Sequence, residues 1–193
     1  MSPAPGPGRP VVWGRRAAVA TLCTGLLSVR AAAQSEPPHL RIGDAVPDLA
    51  VPTSRGDTVR LGALRGRVLI VNFFASYCGP CRTELPLLVE LTARLAAQAR
   101  AHPGSPEPLL FPVGVDARPE DSTGFAASLG VKGGVLLDPG GVVRTAFSPQ
   151  RYPCTFLIDS AGVVRHINRG FGSGYPARME RWLRGLLALP PAS

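Results

Sequence analysis

Three observations predict an α/β domain with a central sheet covered by helices. Apolar strand-like runs alternate with helical periodicity along the chain, one run at residues 68–74 is apolar almost without interruption, and an amphipathic segment closes the sequence. With 193 residues and 45% hydrophobic content the chain can bury one ordinary core without covalent staples.

The N-terminus has the parts of an export signal. Basic Arg15-Arg16 is followed by an apolar run over 17–29 and by small residues Ala31-Ala32-Ala33 suited to cleavage. The run is shorter than the ~20 residues that span a bilayer, so residues 1–33 read as a cleaved signal rather than a permanent anchor. The general secretory route is the expectation, because the residues after the arginine pair only partly fit the twin-arginine route. Cys23 reads as an ordinary residue of the apolar run, since Leu22 before it is bulkier than lipid attachment usually accepts. The domain is therefore expected to work outside the cytoplasm, in a bacterial periplasm or on the outer face of the cytoplasmic membrane.

Residues 34–41 form a polar, proline-bearing linker, and 42–189 the domain, with a short tail at 190–193. Residues 42–49 are too interrupted for a helix and read as extended. Thr58-Val59-Arg60-Leu61 alternates like a half-buried strand after the turn signal Ser54-Arg55-Gly56-Asp57, which predicts a small N-terminal hairpin. Residues 67–74 are apolar on both faces, as in a central strand. From Pro80 the pattern turns helical, with Leu85, Leu88, Leu91 and Leu95 at spacings of three or four, and Pro86 is expected to kink this helix. A proline-rich loop over 102–108 ends it. A second buried strand is expected at 109–115, a helix at 120–129, a short strand at 135–137 and a brief helix at 142–147. A hairpin of strands at 156–159 and 163–167 follows. Residues 176–187 form the last helix, with Met179, Trp182, Leu183 and Leu186 on one side.

The formal charge of +8 overstates the basicity of the domain, because Arg9, Arg15, Arg16 and Arg30 fall in the leader. Without them 17 bases face 13 acids. These bases are scattered and no aromatic stripe accompanies them, which argues against nucleic acid as a partner. Of the four cysteines, Cys78, Cys81 and Cys154 remain after the leader, and an odd number does not fit a purely structural pairing. Cys78-Gly79-Pro80-Cys81 stands where the central strand gives way to a helix. Thiols two residues apart on a first helical turn can close a small disulfide, and the free N–H groups and dipole of the helix favour thiolate on the first. No metal is expected: a second cysteine pair is lacking, and His39, His102 and His166 have no ligand spacing.

Phe73-Phe74-Ala75-Ser76-Tyr77-Cys78-Gly79-Pro80-Cys81, with Tyr152-Pro153 before Phe156-Leu157-Ile158-Asp159, resembles the thioredoxin-like superfamily. The similarity is greatest to its exported TlpA/ResA-type thiol:disulfide oxidoreductases, of the redoxin or AhpC/TSA-like group, and runs over about 42–187. The resemblance implies a central mixed sheet flanked by helices, no cofactor, a monomer, and client proteins bearing disulfides, apocytochrome c among them. It also implies a membrane thiol relay as electron donor, so that the membrane is met only through that relay, the signal or an uncleaved anchor. Cys78 would attack the client disulfide and Cys81 would resolve the mixed disulfide. Tyr77, Gly79, Pro80, Tyr152 and Pro153 would contact the client. Pro153 would follow a cis peptide bond, with the backbone of Tyr152 facing Cys78 and offering a short added strand. The Gly79-Pro80 spacer matches the reducing members.

Some positions depart from the family. Tyr77 replaces the usual tryptophan, with its packing role expected to survive. Asn72 stands where cytoplasmic relatives have a buried aspartate. Glu84, one helical turn after Cys81, is the candidate replacement, either as a carboxyl of raised pKa exchanging a proton with Cys81 or as a first-turn acid that complements the helix dipole. Cys154, at a position usually threonine, is either a buried inert thiol or a third redox thiol. Two rival functions remain on the same fold: a chaperone gripping a metal or a client cysteine, and a thiol peroxidase. Copper chaperones space their cysteines by three residues and add a histidine. Peroxidases need Thr or Ser where this chain has Ala75.

Overall fold

The computed structural model describes residues 39–191. The export signal, Cys23 and most of the linker lie outside the described residues. A five-stranded mixed sheet carries the domain. Its strands are β3 (Val68–Phe74), β4 (Pro108–Gly114), β5 (Leu136–Leu137), β6 (Cys154–Ile158) and β7 (Val164–Arg169), ordered β5-β4-β3-β6-β7. β3 pairs parallel with β4 and antiparallel with β6, so the most apolar strand is central. All seven of its residues are buried, Asn72 included, as the nearly continuous apolar run predicts.

The separate hairpin of β1 (Ala50–Pro52) and β2 (Thr58–Arg60) turns through Ser54-Arg55-Gly56-Asp57. Thr53 Oγ1 donates to the Asp57 carboxylate across that turn, satisfying it locally. The helices are α1 (Cys81–Ala101), α2 (Pro119–Ser128), α3 (Val142–Phe147) and α4 (Tyr175–Leu186). α1 runs on as one helix through Pro86, and Leu85, Leu88, Leu91 and Leu95 are all buried at the predicted spacing.

Strand alternation sends the side chains to two cores. Val68 and Ile70 of β3 join Leu157, α1, the Met179 and Leu183 side of α4, and Leu187 just past its end. Val71 and Phe73 face the other way, against Phe147 and Phe156, whose rings meet edge-on at 5.1 Å. Trp182 is only partly buried and stacks on His166 at 4.6 Å instead of entering the core. Asn72 has the parity of Val68 and Ile70, so its amide points toward α1 and α4.

Gly114 ends β4 directly beneath α2. A Cβ there would lie 2.3 Å from both Cβ and Oγ of Ser122, which cannot swing away because its own Cβ is in the clash. Gly114→Ala is therefore expected to lower unfolding free energy by about 2 kcal/mol through overpacking, read as a shift in the denaturant midpoint. An unchanged midpoint would mean that helix and sheet separate freely here.

Candidate active site

The two βα loops at the carboxyl ends of β3 and β4 meet at the dithiol. Asp116, just after β4, is buried and accepts the Ser76 amide at 3.0 Å, the Ser76 hydroxyl at 2.9 Å and the Ser122 hydroxyl at 2.6 Å. One carboxylate thus ties the loop before Cys78 to the first turns of α2. The sequence reading missed Asp116, although an acid directly after a buried strand is a signal for such a loop anchor.

Cys78 and Cys81 are joined as a disulfide, with their Cα atoms 5.3 Å apart. The Cys81 amide donates to the Cys78 sulfur at 3.3 Å, and α1 starts at Cys81. Cys78 therefore sits at the positive end of the α1 dipole, with the Cys81 N–H directed at its sulfur. Its residual exposure is 7% against 0% for Cys81, so the two cysteines are inequivalent toward solvent. Gly79 and Pro80 are exposed beside them. Tyr77 corrects an expectation: it is 77% exposed and takes no packing role. It stands at the tip of the loop, where the chain leaves the sheet and no element covers it.

The Tyr152-Pro153 peptide bond is cis, as the resemblance implies. The Pro153 carbonyl accepts the Gly170 amide at 2.8 Å, which anchors this segment to the end of β7. The Tyr152 amide and carbonyl have no partner among the described residues. β6 begins at Cys154, earlier than the sequence reading placed it, and pairs Cys154 with Phe73 of β3, which brings the segment alongside the dithiol loop. Burial raises the Tyr152 pKa, while the Arg144 guanidinium opposes that rise. Cys154 is fully buried, and loss of solvent pushes its thiol up to about 12.

Beneath the dithiol lies a buried polar cluster. Asn72 and Thr155 are register partners across β3 and β6, and Asn72 Nδ2 donates to Thr155 Oγ1 at 2.9 Å. Both hold Glu84: Asn72 Nδ2 donates to one carboxylate oxygen at 2.9 Å and Thr155 Oγ1 to the other at 3.1 Å. Glu84 is completely buried rather than solvated on the helix surface. Burial raises its pKa, and the Tyr175, Asn72 and Thr155 donors partly offset that rise. The Tyr175 hydroxyl is buried, faces this carboxyl and stops short of full hydrogen-bond geometry. Thr155 and Tyr175 were not singled out from sequence. A hydroxyl within an apolar strand was the available signal for the first, and a tyrosine directly before the helix-opening Pro176 for the second.

Among the described residues no group of three or more His, Cys, Asp or Glu side chains could hold a metal ion. The chemistry available is that of two sulfurs, a buried carboxyl and exposed backbone. The AhpC/TSA family model matches residues 42–167. The thiol-disulfide oxidoreductase ResA of Geobacillus kaustophilus is 29% identical over 136 residues, 70% of this chain and 74% of that protein. The thioredoxin-like protein YneN of Bacillus subtilis is 26% identical over 133 residues, 66% of this chain and 71% of that protein. Among solved structures, a candidate thiol:disulfide interchange protein DsbE from Chlorobium tepidum superposes with a TM-score of 0.68 at 30% identity, covering 77% of this chain and 99% of that one. The strand order, the cysteine pair at the start of α1 and these similarities agree: the chain belongs to the AhpC/TSA family and is a thioredoxin-like thiol:disulfide oxidoreductase of the ResA/DsbE type.

Proposed function

We propose that this oxidoreductase is exported and reduces disulfides in client proteins, with Cys78 as nucleophile and Cys81 as resolving thiol. The observation that carries the reading is the inequivalence of the two cysteines at the head of α1, one reachable and one sealed. In the dithiol form, the Cys78 thiolate attacks a client disulfide, a bond forms between Cys78 and one client sulfur, and the other client sulfur leaves as thiolate. The Cys81 sulfur gives up its proton and displaces the client from Cys78. The client then carries two thiols and two more electrons, and Cys78–Cys81 is the disulfide. Glu84 takes the Cys81 proton. The free backbone of Tyr152 receives the client as a short added strand, with Tyr77, Gly79, Pro80 and Pro153 completing the contact surface.

The Gly79-Pro80 spacer supports the reducing direction, and the leader sequence supports export to the periplasm or the outer face of the cytoplasmic membrane. Resemblance to reductases of cytochrome c maturation supports apocytochrome c as a client and a membrane dithiol relay as the source of the two electrons that restore the thiols. Ala75, fully buried, supplies no hydroxyl for a peroxidase.

Insulin reduction tests the central claim. With dithiothreitol as reductant, the protein is expected to precipitate insulin chains catalytically, many turnovers per molecule. Stoichiometric copper binding without turnover would establish the chaperone reading instead, and peroxide consumption without insulin turnover the peroxidase reading.

A further inference from the structure

The exposed charges at the head of α1, on α3, beside Tyr152 and on β7 are basic. Seven arginines of the domain (Arg60, Arg67, Arg94, Arg100, Arg118, Arg165 and Arg184) are paired with carboxylates. Arg55 and Arg65 hold backbone carbonyls, and Arg178 holds Asn168. Four exposed arginines without a carboxylate partner among the described residues lie on the segments that frame the site: Arg82, Arg144, Arg151 and Arg169.

Their placement follows from the fold. Arg82 directly follows Cys81 and lies over the Phe125 ring at 4.8 Å. Arg144, on α3, faces the Tyr152 hydroxyl. Arg151 adjoins Tyr152, and its stem rests near Gly170, 4.0 Å from where a Cβ would project. Arg169 is the register partner of Cys154 on β7. Glu84, Asp116 and Asp138, the acids nearest the dithiol loop and α3, are withdrawn from solvent. Glu84 belongs to the buried cluster, Asp116 holds Ser76, and Asp138 accepts the amides of Val143 and Arg144 at the head of α3.

We infer that this basic rim is a client-recognition surface that selects disulfides flanked by acidic residues. A guanidinium without a carboxylate on its own chain is free to take one from a partner, and charge of one sign around a reactive centre raises the encounter rate with the opposite sign. A polypeptide is the occupant because the rim surrounds the sulfur that must meet a polypeptide disulfide. An anionic membrane seated on the same face would seal Cys78 off. The inference rests on the exchange chemistry proposed above.

The test uses two synthetic peptides with the same internal disulfide, one flanked by Glu and Asp, the other by Lys and Arg. Each is mixed with the prereduced protein at low ionic strength while oxidation of the dithiol is followed. The acidic peptide is expected to react about tenfold faster, with the ratio shrinking toward one as salt shortens the range of the field. Arg151→Glu combined with Arg169→Glu should erase or invert the preference, and Arg144→Glu alone should reduce it and serves as the independent variant should the pair fail to fold. Equal rates for the two peptides would overturn the inference while leaving the exchange chemistry intact. Reaction with neither would overturn the exchange chemistry and the inference with it. Equal rates together with binding to phosphatidylglycerol vesicles, lost in the same variants, would reassign the rim to a membrane surface.

Discussion

Cys81→Ala is expected to arrest the protein with clients covalently attached, and Cys78→Ser to abolish both attachment and turnover. The opposite phenotypes follow from geometry: Cys78, the residue with remaining exposure, can be reached by a client, and the fully buried Cys81 can act only on a neighbour already captured. In extracts, or with insulin as client, Cys81→Ala should give adducts on non-reducing gels that collapse with dithiothreitol, with turnover falling to the uncatalysed rate. Cys154 should not rescue this variant. With its thiol pushed up to about 12, thiol exceeds thiolate by about 10⁵ at pH 7, and the thiolate is the reactive form. Adducts on Cys81 in the Cys78→Ser protein would reverse the assignment of roles. Release of clients by Cys81→Ala at the wild-type rate would make Cys154 a working third thiol.

The parts of this site that depend on neighbours in sequence were readable from sequence. The apolar run over β3, the cysteines at the turn into α1 and the leucine spacing along α1 each declare themselves within one element, and the structure places them as read. What depends on neighbours in space was not readable. Asn72 and Thr155 are 83 residues apart and meet only because β6 enters antiparallel beside β3 in one register. A shift of one residue would turn Thr155 to the opposite face. Tyr175 reaches Glu84 only because α4 packs on the same face of the sheet as α1. The exposure of Tyr77 went unread because an aromatic beside an apolar strand looks like core until it is known that no element covers the loop tip. The basic rim was hidden for the same reason: scattered arginines become a surface only when the fold shows which of them have partners.

Glu84→Gln is expected to slow dithiol oxidation roughly 10²-fold and to remove a pH inflection lying above the ordinary carboxyl range. The substitution keeps the size of the side chain and an acceptor for the Asn72 amide, so the cluster around it can persist. Only the exchangeable proton is lost. The direction of the inflection follows from desolvation, which holds the folded-state pKa above its unfolded value. A carboxyl raised in this way favours the folded state fully below the unfolded pKa. That contribution is lost as pH rises through the folded pKa, at up to about 1.4 kcal/mol per pH unit. The Gln variant should therefore lack this decline and be the more stable protein at the alkaline end of the window. Tyr175→Phe supplies the discriminating measurement. The Tyr175 hydroxyl lowers the Glu84 pKa, so its removal should move the inflection to higher pH while leaving both cysteines and the carboxyl in place. If Glu84→Gln flattens the stability profile and leaves the rate profile untouched, Glu84 shapes the site without moving a proton. If both profiles change and Tyr175→Phe shifts the inflection upward, the buried carboxyl is the group that takes the proton from Cys81.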